Sequence, residues 1–273
     1  MNDLKIAFIG AGNMASSIIG GLLNQGMPAG NLCASDPYPE ALQRLSETYG
    51  VSTSADNATA VADANVVILA VKPQIMPAVT RALAPSLQQH NPVVISIAAG
   101  ITVSALQQQL GMTAAIVRCM PNTPALLQCG ATAMFANEHT SQPQRNHAET
   151  ILSAVGDAHW VRDENLLDAV TALSGSGPAY FFLFMEAMTA AGTSMGLKPE
   201  LSRALTVQTA LGAARMAAEG DVELDELRRR VTSPGGTTAA ALDSFAESDL
   251  RGVVASAMQA ALNRSIEMGR EES

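Results

Sequence analysis

Charge is scarce in this sequence, and cationic charge scarcer still. Only 15% of its 273 residues are charged, acids outnumber bases 25 to 16, and the formal net charge is −9. The one run of bases is Arg228, Arg229 and Arg230. A surface built to follow nucleic-acid phosphates is therefore not expected, and a small-molecule partner is. Long apolar runs are also missing: nothing approaches the about 20 consecutive apolar residues of a membrane helix, so no membrane association is expected. The stretch "LKIAFIG" is too short and too early for the hydrophobic segment of a signal peptide. The three cysteines, Cys33, Cys119 and Cys129, lack CxxC spacing, and two of them fall in apolar runs that read as strands. That argues against a metal site or a disulfide framework and for buried, reduced thiols in a cytoplasmic protein.

What the sequence has is apolar residues, 48% of the total, enough for one large or two ordinary domains. Up to about residue 162, "LKIAFIG", "NLCASD", "NVVILAV", "PVVISIA" and "AAIVRCM" read as strands with room for a helix between them. This is the layout of an α/β fold, a parallel sheet wound on both faces in the Rossmann manner. After Trp160 the strand signals vanish. The expected division is a dinucleotide-binding domain at residues 1–162 and an all-helical substrate-binding and dimerisation domain at 163–273. The segments "AYFFLFMEAMTAAGTSM" and "ELSRALTVQTALGAARMAA" are apolar around much of their circumference. So much apolar surface on so short a helical part predicts a homo-oligomer.

Within "FIGAGNMASS", Gly10, Gly12 and Ala15 form a GxGxxA pattern between the first strand and the first helix. Gly10 permits the tight turn, Gly12 lets a pyrophosphate approach the backbone, and Ala15 lets helix and strand pack closely. Apolar Met14, Ile18, Ile19, Leu22 and Leu23 recur at helical spacing, and Gly26 stands where a helix C-cap belongs. The second strand ends in "ASDPYP", placing Ser35 and Asp36 where the adenosine ribose is read. Ser35 can donate to a 2′-phosphate and Asp36 would repel one, so NADP and NAD both stay open; Asp36 is also a plausible turn former before Pro37. Further along the sheet edge come Lys72 in "LAVKPQ", the small residues of "SIAAG", Asn57 as an adenine contact or a helix cap, and Asn122 between Pro121 and Pro124. That last loop could orient a nicotinamide or simply close the sheet.

In the helical part, "TALSGSGPAYFF" sets Gly175 and Gly177 beside Pro178, which suits a first helical position, with Ser176 as the cap. The aromatics Tyr180, Phe181, Phe182 and Phe184 then anchor this entrance into the core and a subunit interface. "TSPGGTT" supplies Ser233 as a cap, Pro234 at a first helical position, Gly235 and Gly236 with exposed N–H groups, and the hydroxyls of Thr237 and Thr238. An anion is at home at such a helix start.

Together, "IGAGNMASSIIGGL", "AVKPQ", "VRCMPNTPALL", "DAVTALSGSGPAYFF" and "LRRRVTSPGGTTAAAL" resemble pyrroline-5-carboxylate reductases over essentially the whole chain. The resemblance implies a nucleotide-binding domain, a helical domain interlocked in dimers that in many members build rings, and NADP or NAD, in reduced form, as hydride donor. It implies reduction of 1-pyrroline-5-carboxylate to L-proline, the last step of proline biosynthesis. Cofactor contacts carry over to Gly10, Ala11, Gly12, Asn13 and Met14; to Ser35; to Asn57; to Ala70, Val71, Lys72 and Pro73; and to Ile97, Ala98 and Ala99; the residues themselves add Ile9 at the strand end, Asp36 and Asn122 as expected cofactor contacts. Substrate contacts carry over to Ser174, Gly175, Ser176 and Gly177 and to Ser233, Pro234, Gly235, Gly236, Thr237 and Thr238. Thr238 is the residue expected to bond the ring nitrogen and relay a proton, and the two loops are expected to face each other, across a subunit boundary. Asp36 departs from the polar or basic residues that NADP-preferring members often carry after the second strand.

An iminium is already electrophilic, so the enzyme has mainly to hold it in line with the hydride donor. This accounts for the lack of an evident base: His90, His139, His147 and His159 sit in ordinary turn or amphipathic contexts. Two rival readings differ in chemistry. A β-hydroxyacid dehydrogenase would use a lysine after "SGSGPAYFF", but the next one is Lys198 at a helix junction. A non-catalytic NAD(P)-sensing oligomer would use the glycine loops only for packing.

Overall fold

The computed structural model describes residues 3–111 and 113–271. Of the chain ends included in the expected domain division, Met1, Asn2, Glu272 and Ser273 lie outside the described residues. The chain forms two compact units: one runs to Ser176 and takes in the chain again from Ala261, and the other is Gly177–Ala260.

The first unit contains β1 (Ile6–Ile9), α1 (Asn13–Asn24), β2 (Leu32–Ser35), α2 (Pro39–Tyr49), β3 (Ser52–Ser54), α3 (Asn57–Val61), β4 (Val66–Leu69) and α4 (Met76–His90). It continues with β5 (Val93–Ser96), α5 (Val103–Leu110), β6 (Ile116–Met120), β7 (Gly130–Ala136), α6 (Gln142–Leu152), β8 (Gly156–Trp160) and α7 (Leu166–Val170). The strands form one sheet in the order β3-β2-β1-β4-β5-β6-β7-β8. Its first six strands are parallel in the 3-2-1-4-5-6 order of a doubly wound nucleotide fold. Side chains alternate across it. Ile6 and Phe8 pack with Ile18, Leu22, Leu45 and Ile151 on one face, while Ala7 and Ile9 pack with Val61, Leu83, Leu106 and Leu110 on the other. Burial on both faces is why these strands read as continuous apolar runs.

The sheet differs from the expected all-parallel one at its far end. β7 runs antiparallel to β6, and β8 is parallel to β7. Only residues 121–129 separate β6 from β7, most of them in a short 3-10 turn, Thr123–Leu127, followed by the left-handed Gln128 at φ 58°. A connection that short can reverse the chain but cannot make the crossover that parallel strands need.

α1 ends as the glycine predicts, one residue further along. Gln25 is the C-cap, Gly26 follows at φ 89°, and the N–H groups of Gly26 and Met27 bond the Leu23 and Leu22 carbonyls. Of the thiols, Cys119 is buried, Cys33 half-buried and Cys129 exposed, so burial does not extend to all three as expected. Desolvation pushes the Cys119 thiol far above its ordinary range and leaves it inert.

The second unit holds α8 (Gly177–Ser194), α9 (Pro199–Glu219), α10 (Leu224–Arg230), α11 (Thr237–Glu247) and the first half of α12 (Leu250–Glu271), which ends in the first unit. α8 and α9 pack so closely that a Cβ on Gly192 would lie 2.4 Å from Ser202 Oγ, and the Ser202 hydroxyl donates to the Thr189 carbonyl at 2.8 Å. Beyond this seam the unit has little interior: neither α10 nor α11 buries a residue. Phe181, Phe182, Leu183 and Phe184 on α8, and Leu205 and Leu211 on α9, are all exposed. Of the expected aromatic anchors, Phe184 makes a ring contact with another helix, 6.3 Å from Phe245. Of the arginine run, Arg229 and Arg230 pair with Glu226 in their own helix. Among the described residues, no helix is long and apolar enough to cross a membrane.

One close packing constraint in the nucleotide unit lies away from its glycine loop. A Cβ on Gly21 would stand 2.3 Å from the Ala154 carbonyl oxygen, where α1 meets the turn before β8. Gly21→Ala is therefore expected to destabilise the unit by about 1–3 kcal/mol, an overpacking cost, and to lower the thermal midpoint by several degrees, read by calorimetry. An unchanged midpoint would show that α1 can shift without cost.

Candidate active site

The expected cofactor residues converge because five neighbouring strands end together. Ile9 pairs with Ser35 and Leu69, Leu69 with Ser96, and Ser96 with Arg118. Ile9 and Ser35 are the last residues of β1 and β2, Asn57 begins α3 beside β2, and the other expected cofactor residues follow a strand end. Ligands of doubly wound sheets bind at this carboxyl edge.

The turn from β1 into α1 is held on three sides. Gly10 adopts φ 106°, and a Cβ there would approach the Ala70 carbonyl oxygen to 2.6 Å, so no other residue fits. Its N–H donates to the Ser35 carbonyl at 2.7 Å, and Ala70 N–H donates to the Ile9 carbonyl at 2.8 Å. Buried Ala11 donates its N–H to Asp36 Oδ2 at 2.8 Å. Gly12 is the N-cap of α1, with no side-chain cap and nothing within 4 Å of where a Cβ would stand. Asn13 and Met14 begin the helix, Asn13 exposed and Met14 packed against the core. The first N–H groups of α1 therefore face open space, which is the arrangement that accepts a diphosphate.

Asp36 is both a turn former and part of the loop. Its Oδ1 accepts from Tyr38 N–H at 3.0 Å while Oδ2 holds Ala11. Beside it, the buried Ser35 hydroxyl donates to Asn57 Oδ1 at 2.7 Å. Asn57 is not the cap of α3. Asp56 is, accepting from Ala58 and Thr59 N–H, and the Thr59 hydroxyl and N–H hold its carboxyl below the usual range. Across the edge, Val71 is partly buried, and Lys72 is exposed and precedes Pro73, which opens a short 3-10 turn. Ile97 N–H donates to the Leu69 carbonyl at 3.2 Å, and Ala98 and Ala99 lead into Gly100 at φ 78°. Asn122 is buried, donating from Nδ2 to the Ser174 carbonyl at 3.0 Å and accepting at Oδ1 from Ala131 N–H at 2.9 Å.

Two features carried no sequence signal as site elements. Arg118 is buried in the sheet and bonds Glu164 Oε1 at 2.9 Å, and that oxygen also accepts from Val103 N–H at 2.8 Å. One carboxylate thus ties β6, the start of α5 and the segment leading to α7. An arginine inside "AIVRCM" was the only hint of it. The other is the Asp56 cap.

The "SGSGP" stretch is not the capped helix entrance that its composition suggests. Thr171–Gly175 is a π-helical turn continuing α7, with Ser176 N–H bonded to the Thr171 carbonyl at 2.8 Å. Ser176 has right-handed helical backbone angles instead of the extended ones of a cap, and α8 begins at Gly177, with Pro178 second. The reason is local: a widened turn absorbs the proline without breaking the helical path. Ser174, Gly175 and Ser176 belong to the first unit and Gly177 to the second.

In the second unit, α11 starts later than its sequence suggests. Its N-cap is Gly236, and Ser233–Gly236 is a turn closed by Gly236 N–H on the Ser233 carbonyl at 3.0 Å, with Gly235 at φ 69°. Pro234 therefore sits in the turn and Ser233 is no cap. A proline followed by a left-handed glycine favours this tight turn over a helical start. Thr237 and Thr238 are the first two helical residues, where backbone N–H groups lack helical partners.

Residues 164–268 match the family model described as pyrroline-5-carboxylate reductase dimerisation, and residues 5–100 match that of NADP oxidoreductase, coenzyme F420-dependent. A pyrroline-5-carboxylate reductase of Pseudomonas aeruginosa is 53% identical over 271 residues, 99% of each chain. The solved structure of a pyrroline-5-carboxylate reductase from Coxiella burnetii superposes with a TM-score of 0.95 at 43% identity, covering 98% of this chain and 99% of that one. That of the Plasmodium falciparum enzyme, with NADP bound, does so with a TM-score of 0.86 at 30% identity, covering 98% and 99%. The chain belongs to the pyrroline-5-carboxylate reductase family.

Proposed function

We propose that this protein reduces 1-pyrroline-5-carboxylate to L-proline with NAD(P)H, closing proline biosynthesis. The observation that carries the reading is 53% identity to a pyrroline-5-carboxylate reductase with both chains covered to 99%. The edge residues fit the dinucleotide: above Gly12 the backbone is open, and the turn beneath is fixed by Ser35, Ala70 and Asp36. When bound, NAD(P)H supplies the hydride.

The chain's own residues have to bind and orient. Gly10 to Met14 would hold the diphosphate, and the Ser35 hydroxyl fixes the Asn57 amide for the adenosine end. Ala70–Pro73 and Ile97–Ala99 would line the path towards the nicotinamide. The substrate carboxylate would rest on the helix N-terminal N–H groups of Thr237 and Thr238, favoured by the helix dipole. The Thr238 hydroxyl would bond the ring nitrogen and pass it a proton, with Ser174 to Gly177 completing the substrate contacts. Residues 1–162 serve the cofactor, and 163–273 serve the substrate and dimerisation. The exposed apolar faces of α8 and α9 suit burial against a second copy, giving a homodimer that assembles further. Exposed, unpaired Cys129 suits a reducing cytoplasm. The lysine-dependent alternative has no support, since α8 contains no lysine.

Oxidation of NADH or NADPH on addition of pyrroline-5-carboxylate tests the reading, and silence with both cofactors would refute it. Thr238→Ala is expected to lower kcat/KM for the imine about tenfold, the cost of one lost polar contact; unchanged kinetics would remove Thr238 from the mechanism. Asp36→Ala frees the Ala11 N–H, so NADH should bind about tenfold more weakly, the scale of one charge-assisted hydrogen bond. NADPH should lose less, because the repulsion of its 2′-phosphate is removed along with the bond. Fluorescence titration with each nucleotide measures both, and equal losses would show that Asp36 does not discriminate between them.

A further inference from the structure

A proline leaves a helix with one carbonyl that has no N–H to meet, and here that carbonyl is identifiable. Four residues before Pro178 stands Ser174, whose C=O would accept from position 178 in a regular helix. Proline has no N–H to give. The backbone answers with the π-helical turn Thr171–Gly175. The Ser174 carbonyl is met from outside the helix, by Asn122 Nδ2 at 3.0 Å.

The other end of Asn122 is as firmly committed. Its Oδ1 accepts from Ala131 N–H at 2.9 Å, where β7 begins, and the side chain is buried. Its neighbour Met120 reaches the same turn, since a Cβ on Gly175 would lie 2.5 Å from Met120 Cε. The end of β6 therefore carries two side chains aimed at one turn: an amide that fills the orphaned acceptor, and a methionine whose terminal methyl lies against Gly175.

We infer that Asn122 is a positioning residue for the reduction site, setting the depth of the Ser174–Ser176 turn against the carboxyl edge of the sheet instead of contacting the nicotinamide through its amide. The inference rests on the proposed function in that this turn is taken to touch the substrate. Asn122 holds the turn by its carbonyl and not by a serine side chain; the Ser174 hydroxyl donates to the Val170 carbonyl at 3.1 Å, which leaves its oxygen as an acceptor for a ligand.

The test is a double-mutant cycle between Asn122→Ala and Pro178→Ala in the full-length protein. Pro178→Ala returns an N–H four residues after Ser174, giving the carbonyl a helical donor. Asn122→Ala alone should lower kcat/KM for pyrroline-5-carboxylate about tenfold and leave the Kd of NADPH, read by fluorescence, within about twofold. On the Pro178→Ala background the same substitution should cost about threefold or less, since the carbonyl is no longer orphaned. A rise in the NADPH Kd matching the loss of activity, additive effects in the cycle, or unchanged kinetics would each overturn the inference.

Asn122→Asp keeps the acceptor for Ala131 and loses the donor to Ser174, so it carries the same expectations if the alanine variant is insoluble. Insolubility of both, without relief by Pro178→Ala, would mean that Asn122 holds the fold and not the turn, and would also overturn it. If the wild-type protein is silent on the imine, the proposed function fails on its own. The clamp is then read in thermal midpoints, where coupling between positions 122 and 178 supports it and additivity overturns it.

Discussion

The nucleotide unit depends on how closely its first turn lies on the neighbouring strand. At Gly10 there is no room for even a methyl group beneath the Ala70 carbonyl, so β1 must turn sharply at its last residue, and α1 must begin directly above the sheet edge. Everything the site needs follows from that contact. The N–H of Gly10 is taken by Ser35 and that of Ala11 by Asp36, which leaves the helix start at Gly12 as the first backbone open to a ligand. A turn tied down before the ligand arrives loses little freedom on binding.

The same economy governs the polar side chains around the edge. Ser35 fixes Asn57, Glu164 joins Arg118 to the start of α5, and Asn122 joins β7 to the π-helical turn. Asn137 closes the far end of β6, accepting from Ile116 N–H and donating to the Ala114 carbonyl. Among the described residues, no buried side-chain nitrogen or oxygen lacks a partner. Such satisfaction matters because an unpaired polar group in a dry interior costs about 1–3 kcal/mol. It also gives a surface of backbone and short side chains stiff enough to hold an electrophile in line.

The helical unit follows a different logic. α8 and α9 are apolar around much of their circumference, yet few of their residues are buried, and their large side chains face outward. A surface of that kind in a single chain is unfinished, which suits a unit matching a dimerisation family. The hydroxyl-rich start of α11 and the exposed faces of α8 are then two products of one architecture, in which the helices spend their apolar surface on association.

The βαβ core could be read from the sequence because both its signals are local: GxGxxA after an apolar run, and helical spacing from Met14 to Leu23. The helical second part and the glycine loops were equally legible. The three strands not named from sequence, β3 "STS", β7 and β8 "GDAHW", lie at the sheet's ends, where exposure weakens the apolar signal or a short turn reverses direction. Two helix starts were also misplaced, at Ser176 and at Ser233, because composition names the residues that can cap and not the one that does. Sequence alone thus determined which backbone is flexible, which residues can donate, and which segments are apolar, all properties of single residues and their spacing. Tertiary structure alone decided which donor meets which acceptor. The bond from Asn122 to Ser174 spans 52 residues, and it exists because the end of β6 and the π-helical turn come together only in the folded chain.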